Sequence, residues 1–310
     1  MKMKAIVFGG SGFLGSHVAD ALSEKGYEVI IYDQVHSAYI TDTQRMIIGD
    51  ILDFKKVNEA VRGCDYVYNF AGLASIEDAP RDPLVTIQQN VLGNTNILEV
   101  CRQNSVKRFV FASSIYVYSN LAPFYRSSKQ ASELIIDDYS RVFDLKYTIL
   151  RYGSLYGKRA NQSNFIHHIL EQAIREGKIT RIGDGEEIRD YIHVLDAAKC
   201  SVDILNDEYI NQHVILTGTQ STKVKDLLMM IREILDGKVE IQYLPGTNND
   251  HYEITPYSFR PQLAKKLISH TYHDLGQGLL DVIYDIYEKL NKDTVETSEV
   301  VKSLKAGFQE

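Results

Sequence analysis

Ala5-Ile6-Val7-Phe8-Gly9-Gly10-Ser11-Gly12-Phe13-Leu14-Gly15 is an apolar run that breaks into glycines and then into a helical pattern. Leu14, Val18, Ala21 and Leu22 recur at helical spacing until Gly26, after which Glu28 to Tyr32 reads as a second strand ending at Asp33. Strand, glycine turn, helix, strand is the pattern of a parallel α/β unit. Gly9, Gly12 and Gly15 permit a tight turn and let backbone and helix N-terminus approach a pyrophosphate, with Phe13 and Leu14 at the same end of that helix. Asp33 stands where an acidic side chain accepts from the hydroxyls of an adenosine ribose. A carboxylate there repels a 2′-phosphate, so NAD is favoured over NADP.

Working outward, Arg45 to Ile48 is a third strand leading to Gly49-Asp50-Ile51-Leu52-Asp53. Asp50 and Ile51 suit the edge and face of an adenine, and Asp53 is placed to cap the helix from Phe54. Asp65 to Phe70 is a fourth strand, and the small Ala71 and Gly72 after it let backbone pass close to a cofactor. Pro83 opens a long helix through Cys101 carrying Asn90, Asn94 and Asn96; such asparagines are mostly solvated or locally bonded, with Asn90 able to brace the site. Val106 to Ala112 is a fifth strand. It delivers Ser113 and Ser114 to the carboxyl end of the sheet, where open α/β sheets bind ligands.

Tyr125-Arg126-Ser127-Ser128-Lys129 places a phenol and an ammonium four residues apart, on one face of a helix. A neighbouring cation favours the phenolate, and moving a phenol from its ordinary ~10 to near 7 takes about 4 kcal/mol. Tyr125 is thereby a candidate general base.

Bulk properties bound the reading. A 310-residue chain that is 44% apolar can bury a large core in one large or two modest domains. A net charge of −7 argues against nucleic acid or an anionic membrane as partner. Cys64, Cys101 and Cys200 lack disulfide or zinc spacing and are expected to be small buried apolar residues in a reducing compartment. Met1-Lys2-Met3-Lys4 passes directly into a strand and no apolar run reaches membrane length, so a soluble cytoplasmic protein without a signal peptide is expected. The His167-His168 pair has no third ligand in view, so no metal is expected there.

The glycine turn, GDILD, the serine pair, YRSSK, RYGSLYG and IRDYIHVLDAA occur in that order between about Lys4 and Ala198. Together they resemble the extended short-chain dehydrogenase/reductase family, the NAD-dependent epimerases and dehydratases of nucleotide sugars. The resemblance implies a doubly wound parallel (Rossmann) sheet with a smaller C-terminal α/β substrate lobe. Residues 1–157 would form the NAD-binding domain, with 196–216 returning to it, and 158–310 mainly the substrate lobe. It also implies that Tyr125 removes the hydroxyl proton, Ser114 hydrogen-bonds that oxygen, and Lys129 holds the nicotinamide ribose and lowers the tyrosine pKa. Ser113 and Tyr152 are expected at the cofactor, and Ser154, Asn164, Arg189 and Arg260 at the substrate. Arg189 matches the family's diphosphate-binding arginine, whose fork suits phosphate; the competing reading is an ion pair with Asp190 or Glu187. His193 is expected to be a core histidine. Homodimerisation through the helices around Pro83–Cys101 and Tyr125–Val142 is implied by resemblance alone.

Departures from the family pattern narrow the chemistry. Dehydratases of the family carry Thr-Asp-Glu where this chain has Ser114-Ile115-Tyr116, so 4,6-dehydration is argued against. The segment Tyr118 to Tyr125 is shorter than in most extended members, and a more open site suits release of a keto sugar. Ser154 replaces an asparagine, and the family's second arginine is absent, with His251 and Arg260 the nearby substitutes. The expected activity is NAD-dependent oxidation at C4 of a nucleoside-diphosphate sugar, as a 4-epimerase or 4-dehydrogenase. A GDP-linked sugar or heptose is as admissible as a UDP-linked one. The rival of another class is a non-catalytic NAD(H)-binding regulator, disfavoured by retention of Ser114, Tyr125 and Lys129. After Lys292 the polar tail is expected to be a surface helix or frayed end.

Overall fold

The computed structural model describes residues 2–246, 265–267 and 272–292. The chain forms two compact units. The first comprises Met1–Gly153, Leu195–Thr217 and Pro256–Ser269, the second Ser154–Val194, Gly218–Thr255 and His270–Glu310.

In the first unit the strands β1 (Lys4–Phe8), β2 (Glu28–Asp33), β3 (Gln44–Ile48), β4 (Tyr66–Asn69), β5 (Arg108–Ser114) and β6 (Tyr147–Tyr152) lie in the order β3-β2-β1-β4-β5-β6. Gln212–Leu216 continues the sheet beside β6, and the short Lys265–Lys266 flanks it; every pairing is parallel. This is the expected Rossmann class. Helices cover both faces of such a sheet, which explains why Ala5–Phe8 and Val29–Tyr32 are buried without alternation. Strand order reverses between β1 and β4, and Phe8 pairs there with Asn69. That switch opens a crevice beyond their carboxyl ends.

Local chemistry sets the helices. The helix α1 (Phe13–Glu24) starts at Gly12 with no side-chain cap and no acidic residue in its first turn. Asp53 caps α2 (Phe54–Val61), its Oδ1 accepting from the Lys56 N–H at 3.0 Å, as expected. Asp82 caps α3 (Pro83–Ile87), which runs through a wide π turn at Gln88–Leu92 into α4 (Gly93–Gln103). The α5 helix (Tyr125–Phe143) follows β5 and a 3₁₀ turn at Ile115–Tyr118.

In the second unit Ile188–His193 pairs parallel with Ser154–Tyr156 and antiparallel with Ser221–Lys223. A separate parallel pair joins Lys178–Ile182 to Glu240–Leu244. Helices Phe165–Glu176, Val224–Ile234 and Leu275–Lys292 close over Ile169, Leu170, Leu227, Leu228 and Ile283. Among the described residues no helix is long and apolar enough to cross a membrane, no acid, histidine and cysteine cluster could hold a metal, and the three cysteines are free and buried. His251, Arg260 and the tail after Lys292 lie outside the described residues.

Candidate active site and dinucleotide cradle

The glycine turn is built for close backbone approach. Gly9 has φ +76°, and a Cβ there would sit 2.6 Å from the Ala71 nitrogen and 2.7 Å from the Phe70 carbonyl carbon. Any side chain would therefore push β1 and β4 apart at the switch point. The first-turn N–H groups of α1, at Phe13 and Leu14, have no intrahelical acceptor and form an anion-binding end. Asp33 braces the same turn: its carboxylate accepts from the Ser11 N–H at 3.0 Å and the Val35 N–H at 3.3 Å. A carboxylate has about four lone-pair sites, so ribose hydroxyls can still be accepted. Asp33→Asn, which keeps the shape and removes the charge, is expected to raise NADP affinity relative to NAD about tenfold, read by calorimetry with each cofactor. An unchanged ratio would remove Asp33 from the ribose site.

Asp50 is half-buried; its Oδ1 accepts from the Leu52 N–H at 2.9 Å, and its carbonyl accepts from the Tyr32 hydroxyl at 2.9 Å. The Ile51 side chain is buried against Gly93, so its apolar surface packs on α4 instead of lying open as an adenine face. Asn96 holds this loop by donating to the Ile51 carbonyl at 3.1 Å. Ala71 and Gly72 sit in a second laced loop. Gly72 has φ +137°, with Asn90 packed where a Cβ would go. Asn90 accepts from the Leu73 N–H at 2.7 Å and donates to the Leu73 carbonyl at 3.0 Å and the Ser128 hydroxyl at 2.9 Å. The brace expected of Asn90 is present, and Asn90 lies within the π turn.

Ser114, Tyr125 and Lys129 come together at the carboxyl end of β5, all less than a tenth exposed. The Ser114 hydroxyl accepts from the Tyr116 N–H at 3.3 Å and acts on the neighbouring Tyr125 phenol. Lys129 Nζ donates to the Ala112 carbonyl at 2.8 Å and lies 4.9 Å from the Phe111 ring centre and 5.9 Å from that of Tyr125. The electrostatics correct one expectation. Burial pushes the Tyr125 phenol above its ordinary value, and the Ser114 side chain offsets only part of that. Burial also draws the Lys129 ammonium down to about 8, with the Glu133 charge acting in the opposite direction.

The short segment before Tyr125 is strained. Phe124 adopts φ 62°, ψ −49°, and the Tyr125 N–H donates back to the Pro123 carbonyl at 2.8 Å. These are the marks of a γ-turn of the strained kind, costing on the order of 1–3 kcal/mol. Arg126 and Gln130 tie the loop to α5 through the Ser119 and Val117 carbonyls.

Other expected contacts are placed differently. The Ser113 hydroxyl donates to Glu133 at 2.5 Å, so its side chain is engaged below the sheet edge. Tyr152 is a core residue whose hydroxyl bonds Ser201 at 2.6 Å, leaving its backbone to meet a ligand. In the second unit, Asn164 caps Phe165–Glu176 by accepting from the His167 N–H and donates to the Leu155 carbonyl at 2.7 Å, occupying both ends of its amide. Ser154 is half-buried, in register with Tyr191. Arg189 is buried, with Nη1 on the Ile188 carbonyl at 3.0 Å. Glu187 pairs with Arg181, and Asp190 accepts from Ser221 at 2.6 Å. His193 is buried and stacks on His273 with ring centres 4.4 Å apart, the expected core role.

Sequence reasoning missed Glu133 and Arg151. Their signals were present: Glu133 lies four residues beyond Lys129, and Arg151 follows the apolar Ile149-Leu150 in a strand, where a charge demands a partner.

Comparison with known proteins agrees with this geometry. The sequence profile of the NAD dependent epimerase/dehydratase family matches residues 5–216. A putative UDP-glucose 4-epimerase of Methanocaldococcus jannaschii is 29% identical over 271 residues, 80% of this chain and 88% of that protein. Among solved structures, UDP-glucose 4-epimerase of Thermotoga maritima with UDP-glucose aligns with a TM-score of 0.80 at 25% identity, over 93% of this chain and 100% of that one. UDP-glucose 4-epimerase of Thermus thermophilus in complex with NAD aligns with a TM-score of 0.77 at 25% identity, over 92% and 99% of the chains. The matched stretch runs from the glycine turn through Asp33, the serine pair and the Tyr125–Lys129 helix, and the chain belongs to the NAD-dependent epimerase/dehydratase family, with NAD as its cofactor.

Proposed function

We propose that this protein oxidises a nucleoside-diphosphate sugar at C4 and returns the hydride to the opposite face, a 4-epimerase working through a 4-keto intermediate on a UDP-sugar. The observation that carries this reading is the gathering of Ser114, Tyr125 and Lys129, all buried, at the carboxyl end of β5. In this proposal the first unit is the NAD domain and the second the substrate lobe. NAD, when bound, supplies the hydride acceptor and a positive ring that favours the phenolate. Tyr125 takes the C4 hydroxyl proton as the C–H electron pair departs, and gives it back when the ketone is reduced. Ser114 donates to the same oxygen and holds the developing charge. Lys129 anchors the nicotinamide ribose. Arg189 is the proposed diphosphate contact, with Ser154 beside it in the same small sheet.

The short Ser119–Phe124 segment favours a second reading, net 4-dehydrogenation with release of the keto sugar, for which a GDP-linked sugar or heptose is also a candidate substrate. A panel of UDP-, dTDP-, GDP- and CDP-sugars with NAD, followed by NADH absorbance and NMR of the products, separates the two. A new C4 epimer without lasting NADH establishes the epimerase. Accumulating NADH with a 4-keto sugar establishes the dehydrogenase, and no reaction with any sugar overturns both.

A homodimer is proposed as well, because Leu84 and Leu92 on the α3–α4 run and Leu134 and Val142 on α5 are each more than half exposed. Light scattering is expected to give twice 35.2 kDa. A monomer mass would remove the proposal.

A further inference from the structure

The strained turn ahead of Tyr125 is not accounted for by its own packing. Ala122 has φ 56° and Phe124 φ 62°, two left-handed residues that are not glycine, on either side of Pro123. A Cβ makes such backbone costly, and the residue before a proline is further confined to extended conformations. Phe124 is 41% exposed, so burial of its ring compensates only in part.

The turn acts on the helix that follows it. Helix α5 begins without a side-chain cap. Its opening N–H groups find backbone instead: Tyr125 donates to the Pro123 carbonyl and Arg126 to the Ala122 carbonyl, each at 2.8 Å. The segment is also fastened to the elements around it. Gln130 Nε2 donates to the Val117 carbonyl at 2.7 Å, Arg126 Nη1 to the Ser119 carbonyl at 3.3 Å, and the Leu121 N–H to the Ser119 hydroxyl at 3.0 Å. Arg151 on β6 donates to the Tyr118 hydroxyl, and the Tyr116 ring meets the Tyr125 ring edge-on. Ser114 and Tyr125 stand at the two ends of this stretch, one closing β5 and the other opening α5. Backbone outliers persist where their surroundings over-determine them, and they gather where a reacting group must be aimed.

We propose that Phe124 is a positioning residue: its left-handed backbone fixes the angle at which Tyr125 enters α5 and so aims the phenol at the reaction centre.

This role rests on Tyr125 being the proton taker of the proposed reaction, and it belongs to the Phe124 backbone, not to the ring. A glycine takes φ 62° without a Cβ penalty, but it takes many other conformations as readily, so strain is replaced by freedom. At ordinary positions alanine stabilises more than glycine; at a left-handed position the order reverses.

Phe124→Ala and Phe124→Gly both remove the ring, and only the second removes the Cβ. In the full chain with NAD, Phe124→Gly is expected to melt about 2 °C above Phe124→Ala. It is nonetheless expected to transfer hydride about tenfold more slowly, as a fall in kcat with KM and NAD affinity matching those of Phe124→Ala. A merely structural role gives the opposite pairing, with the more stable variant at least as active. Equal hydride-transfer rates in the two active variants overturn the proposal. So does a loss already complete in Phe124→Ala, which assigns the effect to the ring.

Tyr125 is also read without sugar. With ¹³C at tyrosine Cζ, its resonance, identified by its loss in Tyr125→Phe, is expected as one line in Phe124→Ala and as a broadened or divided line in Phe124→Gly. The same single line in both variants overturns the proposal. A divided line in a protein that turns over no sugar upholds it while sinking the epimerase reading, so the two failures are distinguishable.

Discussion

Tyr125→Phe is expected to bind NAD as the parent chain does and to transfer hydride 10²–10⁴-fold more slowly, the usual scale for loss of one positioned proton-transfer group. The substitution removes one oxygen and little else. The ring keeps its edge contact with Tyr116, at 6.3 Å between centres, and helix α5 keeps its start. Ser114 retains the Tyr116 N–H at 3.3 Å as a donor to its oxygen. What disappears is the proposed taker of the C4 proton. Calorimetric titration with NAD and single-turnover NADH formation check both halves, and full activity in this variant would remove the assigned general base. Weakened NAD binding with intact chemistry would instead recast Tyr125 as a cofactor-packing residue.

Arg151→Met is expected to lose about 3–5 kcal/mol of unfolding free energy, because it strands the Glu133 carboxylate in the core without its counter-ion. Arg151 and Glu133 are 2% and 5% exposed, so solvent screening does little to soften the loss. Tyr118 and His213 lose a shared partner at the same time. The double variant with Glu133→Gln is expected to recover much of the loss, since breaking a buried pair costs more than removing it whole. Urea unfolding of the two variants measures the difference. A loss below about 1 kcal/mol in Arg151→Met would mean that water or another cation reaches Glu133.

Much of the site was legible because its residues depend on local backbone. Gly9 is readable as a glycine at the end of a strand, and the structure supplies the reason, Phe70 and Ala71 crossing where its side chain would be. Asp53 is a helix cap three residues from the N–H it accepts. Tyr125 and Lys129 share a helix face by spacing alone. Less legible were residues whose role is set across the sheet. Ser113 looked like a cofactor contact because it ends β5, yet its hydroxyl turns to Glu133 on α5, twenty residues away. Ile51 looked open beside Asp50, but Gly93 leaves a gap on α4 that its side chain fills. Asn164 looked like a substrate contact and spends its amide on a helix cap and the Leu155 carbonyl.

The sequence by itself determined the parallel α/β order and the glycine turn, because glycine spacing and apolar runs are properties of short stretches, and it nominated Asp33 by position and the Ser114, Tyr125, Lys129 trio by family resemblance. Only the tertiary structure decided the charge states around that trio. Desolvation and pairing depend on what lies above and beside a group in three dimensions: burial raises the Tyr125 phenol and draws down the Lys129 ammonium, while Glu133, fixed by Arg151 from β6, opposes that fall.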